Sequence, residues 1–159
     1  GAAVLMARGE IPFAGELLSD CRPLHQLSAA ALEAGGVRIL RDPTRGGVAT
    51  TLNEFVEGSA LTIELEEDAI PVDPAVAAAC DLLGLDPLYS ACEGRMLAIV
   101  SPGQADAVLD ALHQTSGGEH AAMIGRVTES RPGHVVLRTA LGGSRILGKL
   151  TGAQLPRIC

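Results

Sequence analysis

Apolar segments of helix length alternate with apolar segments of strand length along this chain, and glycine or proline separates them. Apolar residues spaced three and four apart predict helices, whereas short alternating or continuous apolar runs predict strands. We predict helices at 22–35 and 48–57, one that begins at Asp73-Pro74 and one that follows Ser101–Gln104, and strands at 37–40, 61–65, 96–100, 122–129, 134–140 and 144–147. Elements in this order form a layered α/β (α+β) domain in which helices flank a mixed sheet.

Local signals define several boundaries of these elements. Asp73-Pro74 has the N-cap residue and the first-turn proline of a helix start. Ser101–Gln104 has the spacing of a capping box, in which the Ser and Gln side chains bond to backbone amides. Pro132-Gly133 and Gly142-Gly143 supply turns between the last three strands, which we therefore expect to form a meander.

Length, charge and aromatic content limit what the chain can do. Its 159 residues are enough for one domain with a sizeable core. The net charge is −7, no Lys/Arg cluster forms a stripe, and only one Tyr and two Phe are present. Nucleic-acid binding needs basic patches and stacking surfaces, so this class is excluded. No apolar run approaches the ~20 residues of a membrane helix and no signal peptide begins the chain, so we expect a cytoplasmic protein without a membrane partner.

The four cysteines form no C-x-x-C pair, and neither they nor the histidines have the spacing of a metal site. We expect reduced thiols, because a chain with a large core does not need disulfides for stability. Cys80 lies on the apolar face of the third helix and is expected in the core. The acidic run from Glu64 to Asp68 is expected at a solvated strand end.

The first candidate site is the loop Asp42-Pro43-Thr44-Arg45-Gly46-Gly47, between a predicted strand and a predicted helix. Glycines at a helix start let backbone N–H groups approach an anion, and the helix end adds a partial positive charge. Arg45 is suited to bidentate pairing with a phosphate, and Asp42 is suited to hold magnesium or to cap the helix. A tight strand-to-helix turn with a surface Arg is the alternative interpretation.

A carboxylate and a thiol are further candidates. Glu93 lies between Cys92 and Gly94 at the entrance of a predicted strand, where a carboxylate can serve as a general base. The alternative is an exposed Glu at a strand edge. Cys159 is the last residue of a segment without apolar periodicity, 149–159, which we expect to be a mobile tail. A thiolate on such a tail is a nucleophile that can travel between sites, and the alternative is an incidental terminal Cys.

Several segments together resemble the HypE family of NiFe-hydrogenase maturation proteins. They are 41–54, 68–72, 82–89, Cys92-Glu93-Gly94, 142–145 and Leu155–Cys159. The wider superfamily, which includes aminoimidazole ribonucleotide synthetase, selenophosphate synthetase and thiamine-monophosphate kinase, shares versions of the Asp-Pro-Thr-Arg-Gly-Gly segment. The Pro-Arg-Ile-Cys ending is what singles out HypE.

The resemblance implies a C-terminal α/β domain at 1–148, with an extended segment at 1–20, followed by the tail. It also implies that this chain lacks a first domain, which carries most of the ATP site and forms a homodimer in the family. Its implied site residues are Cys159 as the carrier thiol, Glu93 as the base, Gly148 and Gly152 as hinges, and, in the nucleotide-facing loop, Asp42, Thr44, Arg45, Gly46 and Gly47.

The activity that the resemblance implies is that of a carbamoyl dehydratase. The carbamoyltransferase HypF would load Cys159 with a carbamoyl group, and ATP with Mg²⁺ would activate the carbamoyl oxygen. Loss of phosphate would leave a thiocyanate, whose cyano group would pass to iron on a HypC–HypD complex. Two alternatives stay open: another ATP-dependent synthetase or kinase of the superfamily, and a non-enzymatic thiol carrier or interaction domain.

Overall fold

A computed structural model of the chain describes residues 19–152. The predicted helices and strands are all present among these residues, with ends displaced by a few positions. They are α1 His25–Ala34, β1 Val37–Arg41, α2 Gly47–Val56, β2 Thr62–Glu66, α3 Pro74–Leu83, β3 Leu97–Val100, α4 Ala105–His113, β4 Gly125–Thr128, β5 Val135–Arg138 and β6 Ser144–Leu147. The predicted α/β class with a mixed sheet is confirmed.

The main sheet has four strands in the order β4-β2-β5-β6, and β1 and β3 form a separate antiparallel pair. β2 is antiparallel to β4 and parallel to β5, whereas β5 and β6 form a hairpin. The predicted meander is therefore wrong for β4, because β2 lies between β4 and β5. Four consecutive residues of β2, Thr62 to Leu65, are buried, and a strand buried on both faces belongs in the middle of a sheet.

The core lies between α2 and one face of this sheet. Leu52 and Val56 of α2 pack there with buried residues of three strands, Ile63, Leu65, Val135, Leu137 and Leu147. Burying each such side chain contributes about 1.5–3 kcal/mol. Since α2 begins at Gly47, this packing also holds the start of the helix, and the loop before it, at one end of the domain.

The prediction that the acidic run lies at a solvated strand end is wrong for Glu64. Its side chain is buried on the face of the sheet opposite to α2. Its Oε1 accepts hydrogen bonds from Ser130 Oγ at 2.7 Å and Thr128 Oγ1 at 3.2 Å, and its Oε2 accepts one from Arg138 Nη2 at 2.9 Å. The hydrogen bond from Ser130, followed by that from Arg138, lowers the pKa of the Glu64 carboxyl. A buried carboxylate is tolerated here because both of its oxygens are bonded.

Of the two predicted caps, one is confirmed and one is wrong. The Asp73 side chain accepts bonds from the amides of Ala75 and Val76 at the start of α3. Ser101 does not cap a helix, because its hydroxyl accepts a bond from Arg38 Nε at 2.9 Å. A 3₁₀ turn, Pro102–Gln104, leads into α4 instead.

Several predictions concern the ends of the chain. The described part, residues 19–152, contains no helix that is long and apolar enough to cross a membrane. Residues 1–18 of the predicted extended segment at 1–20 and most of the predicted tail, including Cys159, lie outside the described residues. The boundary between domain and tail at residue 148 stays a prediction.

Candidate functional site

The loop that follows β1 turns sharply into α2. The Thr44 amide donates to the Asp42 carbonyl at 3.1 Å, and the Gly47 amide donates to the Thr44 carbonyl at 3.0 Å. Gly46 and Gly47 have φ values of 77° and 61°, a left-handed conformation that favours glycine. Because two amides bond within the loop, the groups that it offers to a ligand are chiefly the exposed side chains of Asp42 and Arg45.

The start of α2 carries no side-chain cap. Its N-cap residue is Gly46, and within residues 19–152 no side chain accepts a bond from the first-turn amides. Uncapped amides at a helix start, with the helix dipole behind them, favour an anion. An Arg beside such a start adds a donor suited to phosphate oxygens. The loop thus fits a phosphate-bearing ligand, although that role stays a prediction.

The structure brings the loop together with the segment that contains Glu93. The Cys92 amide donates to the Pro43 carbonyl at 2.9 Å, and Pro43 is fully buried between the two segments. Gly47 also lies against the backbone of Leu88 and Ser90, since a Cβ atom on Gly47 would be 2.5 and 2.6 Å from their carbonyl oxygens. Two motifs that are almost fifty residues apart in sequence therefore lie side by side.

Glu93 itself is half-buried and accepts a hydrogen bond from a thiol. Cys21 Sγ lies 3.3 Å from Glu93 Oε2. Next to it, the Gly94 amide donates to Asp20 Oδ2 at 3.2 Å, and the Gly94 carbonyl accepts from Arg22 Nε at 3.2 Å. A side chain at Gly94 would overlap the Asp20 carbonyl oxygen, so glycine is required for this close approach. The segment 20–22 thus fixes one side of Glu93.

The two other described cysteines are structural. Burial raises the pKa of the Cys92 thiol, and the nearby Asp20 carboxylate adds to this effect. Cys92 Sγ donates to the Ser90 carbonyl at 3.3 Å. Cys80 is buried in α3, as predicted, and burial also raises its pKa. Thiols held in the neutral form are poor nucleophiles, so neither competes with an ionised thiol for a reactive role.

Sequence reasoning missed the residues that surround these motifs. Cys21 was counted as a cysteine but not placed beside Glu93, since no local pattern links residues 72 positions apart. Thr50 and Asn53 of α2 bond to the chain after β6. A signal for them existed, because two polar residues three apart share one face of the helix.

A magnesium site made of this chain alone is not present in the described part, where no three His, Cys, Asp or Glu side chains cluster. Asp42 is the one carboxylate of the loop 42–47 itself. Magnesium in nucleotide sites is held by one or two carboxylates together with phosphate oxygens. Asp42 therefore fits as one ligand among several, the others coming from the nucleotide or from another domain.

The family described as "AIR synthase related protein, C-terminal domain" matches residues 1–138. Proteins named carbamoyl dehydratase HypE are similar over the whole chain. That of Bradyrhizobium diazoefficiens is 49% identical over 161 residues, and that of Cupriavidus necator is 50% identical over 160 residues. In both, this chain covers 46% of the relative's length, so it spans about half of the curated relatives that it matches. The predicted resemblance to HypE is confirmed.

Solved structures of similar proteins share the fold. A structure of the hydrogenase maturation protein HypE superposes with a TM-score of 0.92 at 44% identity, covering 100% of this chain and 52% of that chain. A HypE structure in complex with ATP gives 0.90 at 44% identity, covering 100% and 49%. A HypE–HypF complex gives 0.88 at 36% identity, covering 94% and 49%.

Proposed function

Since this chain belongs to the AIR synthase related proteins, as their C-terminal domain, we propose that it acts as the thiol-bearing half of a HypE-type carbamoyl dehydratase in NiFe-hydrogenase maturation. In this proposal Cys159 carries a carbamoyl group that is dehydrated to a thiocyanate at the expense of ATP. The cyano group then becomes a cyanide ligand of the hydrogenase iron. The relatives named carbamoyl dehydratase HypE, similar along the full chain, support this assignment.

One observation carries the proposal: the hydrogen bond of 2.9 Å from the Cys92 amide to the Pro43 carbonyl. It joins the anion-favouring loop to the segment with the candidate base. A dehydration that is driven by phosphoryl transfer needs both, because a phosphate must be held while protons leave the neighbouring nitrogen. A simple thiol carrier needs neither.

The residues of this chain have distinct roles in the proposed reaction. ATP, when bound, supplies the phosphoryl group that makes the carbamoyl oxygen a leaving group. Arg45 and the first-turn amides of α2 hold phosphate oxygens, and Asp42 contributes to holding Mg²⁺. Thr44, Gly46 and Gly47 shape the loop, because the Thr44 carbonyl accepts the Gly47 amide and the two glycines adopt the left-handed conformation of the turn. Most of the nucleotide site lies in the other half of the protein.

Glu93 is the proposed base. When the carbamoyl oxygen is phosphorylated, the thiocarboxamide nitrogen loses its first proton to solvent. The C–O bond then breaks, the oxygen leaves with the phosphate and the second proton passes to Glu93, which leaves Cys159 Sγ bonded to a nitrile carbon. The Glu93 carboxylate accepts a proton in this step. Cys21, which donates its S–H to Glu93 Oε2, holds the carboxylate in place and leaves Oε1 for the substrate.

We also propose the partners and the compartment. HypF loads the thiol, which the HypE–HypF complex structure of a similar protein supports. A HypC–HypD complex accepts the cyano group, and the full-length protein is a homodimer through its first domain. Cys21, Cys80 and Cys92 are free thiols, which is in keeping with the reducing cytoplasm.

The test uses the full-length protein with the carbamoyl group loaded on Cys159 and mass spectrometry of the C-terminal peptide. Thiocarboxamide and thiocyanate differ by one water, so both forms are counted directly. We expect Glu93→Gln to slow the conversion by about 10²–10⁴-fold and to leave carbamoyl loading unchanged. Conversion at the normal rate would refute Glu93 as the base.

Cys159→Ser in the same protein separates the proposal from its two alternatives. A carbamoyl dehydratase of this type loses both adducts and supports no hydrogenase maturation. Another synthetase or kinase of the superfamily keeps its ATP-dependent turnover of a small substrate. A pure thiol carrier loses its adduct with Cys159→Ser but transfers cyanide normally with Glu93→Gln.

A further inference from the structure

The last residue of β6 and the three residues after it lie along α2. Asn53 Nδ2 donates to the Leu147 carbonyl at 2.8 Å, and the Leu150 amide donates to Thr50 Oγ1 at 3.1 Å. Tyr89, from the 3₁₀ turn Pro87–Tyr89, donates its hydroxyl to the Gly148 carbonyl at 3.1 Å. Three bonds to the backbone within four residues hold this stretch, which we call the tail anchor (147–150).

The tail anchor runs toward the candidate site. Leu147 bonds to Asn53, and Leu150 bonds to Thr50, one turn nearer the start of α2. The chain is therefore antiparallel to the helix and is directed toward the loop at Gly46. The predicted hinge at Gly148 does not agree with this geometry, since the Gly148 carbonyl is bonded and the following residues are held as well.

Thr50 contacts both the tail anchor and the loop. Its side chain covers Gly46 so closely that a Cβ atom there would overlap Thr50 Oγ1. The same oxygen accepts the Leu150 amide. Thr50 is partly exposed and its own amide donates to the Gly46 carbonyl at 3.1 Å. One side-chain oxygen thus lies against Gly46 and also accepts the Leu150 amide.

We propose that Thr50 is a positioning residue, which anchors the carrier tail at Leu150 and couples this anchor to the occupancy of the glycine loop. The inference rests on the proposed function, in which that loop faces a nucleotide. In the proposed reaction the anchor then stays closed while Cys159 reaches Glu93.

Chain length is sufficient for this. Nine residues follow Leu150, and in extended form they span about 30 Å. From Leu150 the contacts lead to Thr50, along one helical turn to Gly47, across to Ser90, and along three residues to Glu93. The sum of the largest lengths that these four steps can have is about 28 Å. A fully extended segment 151–159 is about as long as this path, so the proposal does not require release of the anchor.

The test is residue-resolved hydrogen exchange on the full-length protein, with three variants. Thr50→Val keeps the shape and packing over Gly46 but removes the acceptor, whereas Thr50→Ser keeps the acceptor. Tyr89→Phe removes the bond to Gly148 and leaves Thr50 untouched. We expect Thr50→Val to speed exchange of the Leu150 amide by about 3- to 10-fold, and Thr50→Ser to restore slow exchange. Exchange in β2, at Leu65, serves as the control for overall stability.

Coupling is tested with a non-hydrolysable ATP analogue. We expect the analogue to slow exchange at the amides 45–48 and at the Leu150 amide in the unaltered protein, and equally in the Thr50→Ser and Tyr89→Phe variants. In Thr50→Val we expect the analogue to slow exchange only at 45–48. Protection of 45–48 without any change at Leu150 in the unaltered protein would overturn the coupling and leave the proposed function intact. Absence of protection at 45–48 would count against the nucleotide-facing loop and with it the coupling. Unchanged exchange at Leu150 in Thr50→Val would overturn the anchor in either case.

Discussion

Gly47→Ala tests the close approach between the start of α2 and the segment that leads to Glu93. Gly47 has a φ of 61°, and a Cβ atom there would be 2.5 Å from the Leu88 carbonyl oxygen and 2.6 Å from that of Ser90. Both neighbours are backbone atoms, which cannot rotate away as a side chain does. The substitution therefore strains its own backbone and also displaces the segment 88–90.

The matched control is Gly58→Ala, just after the end of α2. Gly58 has a φ of 69°, and nothing lies within 4 Å of a Cβ atom there. It isolates the conformational cost of a left-handed alanine, about 1–2 kcal/mol. Gly47→Ala adds the cost of overpacking, about 1–3 kcal/mol. We expect losses in the free energy of unfolding of about 2–5 kcal/mol for Gly47→Ala and about 1–2 kcal/mol for Gly58→Ala.

Urea unfolding of the full-length protein, followed by circular dichroism, measures both variants, and an unchanged m-value shows that the unfolding transition is the same. Displacement of 88–90 should also weaken the bond from the Tyr89 hydroxyl to the Gly148 carbonyl. Equal losses for the two variants would refute the reasoning, because they would mean that the backbone contact at Gly47 is not tight.

Three further predictions concern caps, charge and thiols. Asp73→Ala should destabilise the protein by about 1 kcal/mol in thermal unfolding, and Asp73→Asn by much less, because an amide oxygen still caps α3. The folded-state pKa of Glu64 is lowered, so its stabilisation is present above the unfolded pKa of ~4.3 and is lost as the pH falls through the folded value. Urea unfolding of Glu64→Gln between about pH 3 and 6 should thus depend less on pH than that of the unaltered protein; an equal slope would contradict this. Iodoacetamide on the native protein should label exposed Cys21 before Cys92, whose pKa burial raises, and peptide mapping decides the order.

The local sequence pattern was enough to predict the helices and strands and most of their ends. The apolar spacing of α2 and the alternation in β2 describe faces, which are properties of a few neighbouring residues. Asp73 was recognised as a cap because its partners lie two and three residues ahead. Ser101 misled the same reasoning, since its hydroxyl is bonded by Arg38, 63 residues away.

Of the site, the sequence supplied the loop 42–47, Glu93 and Cys159 as separate candidates. It did not show that Glu93 lies beside the loop, or that Cys21 contacts it, because those contacts join residues far apart in the chain. The placement of β2 between β4 and β5, the burial of Glu64 and the course of 147–150 along α2 have the same origin. Each depends on which surfaces the chain buries against one another.

The amino-acid sequence alone therefore decided the class of the fold, its elements and its resemblance to the HypE family. Periodicity, turn residues and short motifs involve only residues that are close together in sequence. They can therefore be recognised without knowing which segments pack against one another. Tertiary structure decided which candidates meet. A bond between residues 100 positions apart, such as that of Leu150 with Thr50, forms only because the core packing of α2 on the sheet brings the end of β6 beside the helix.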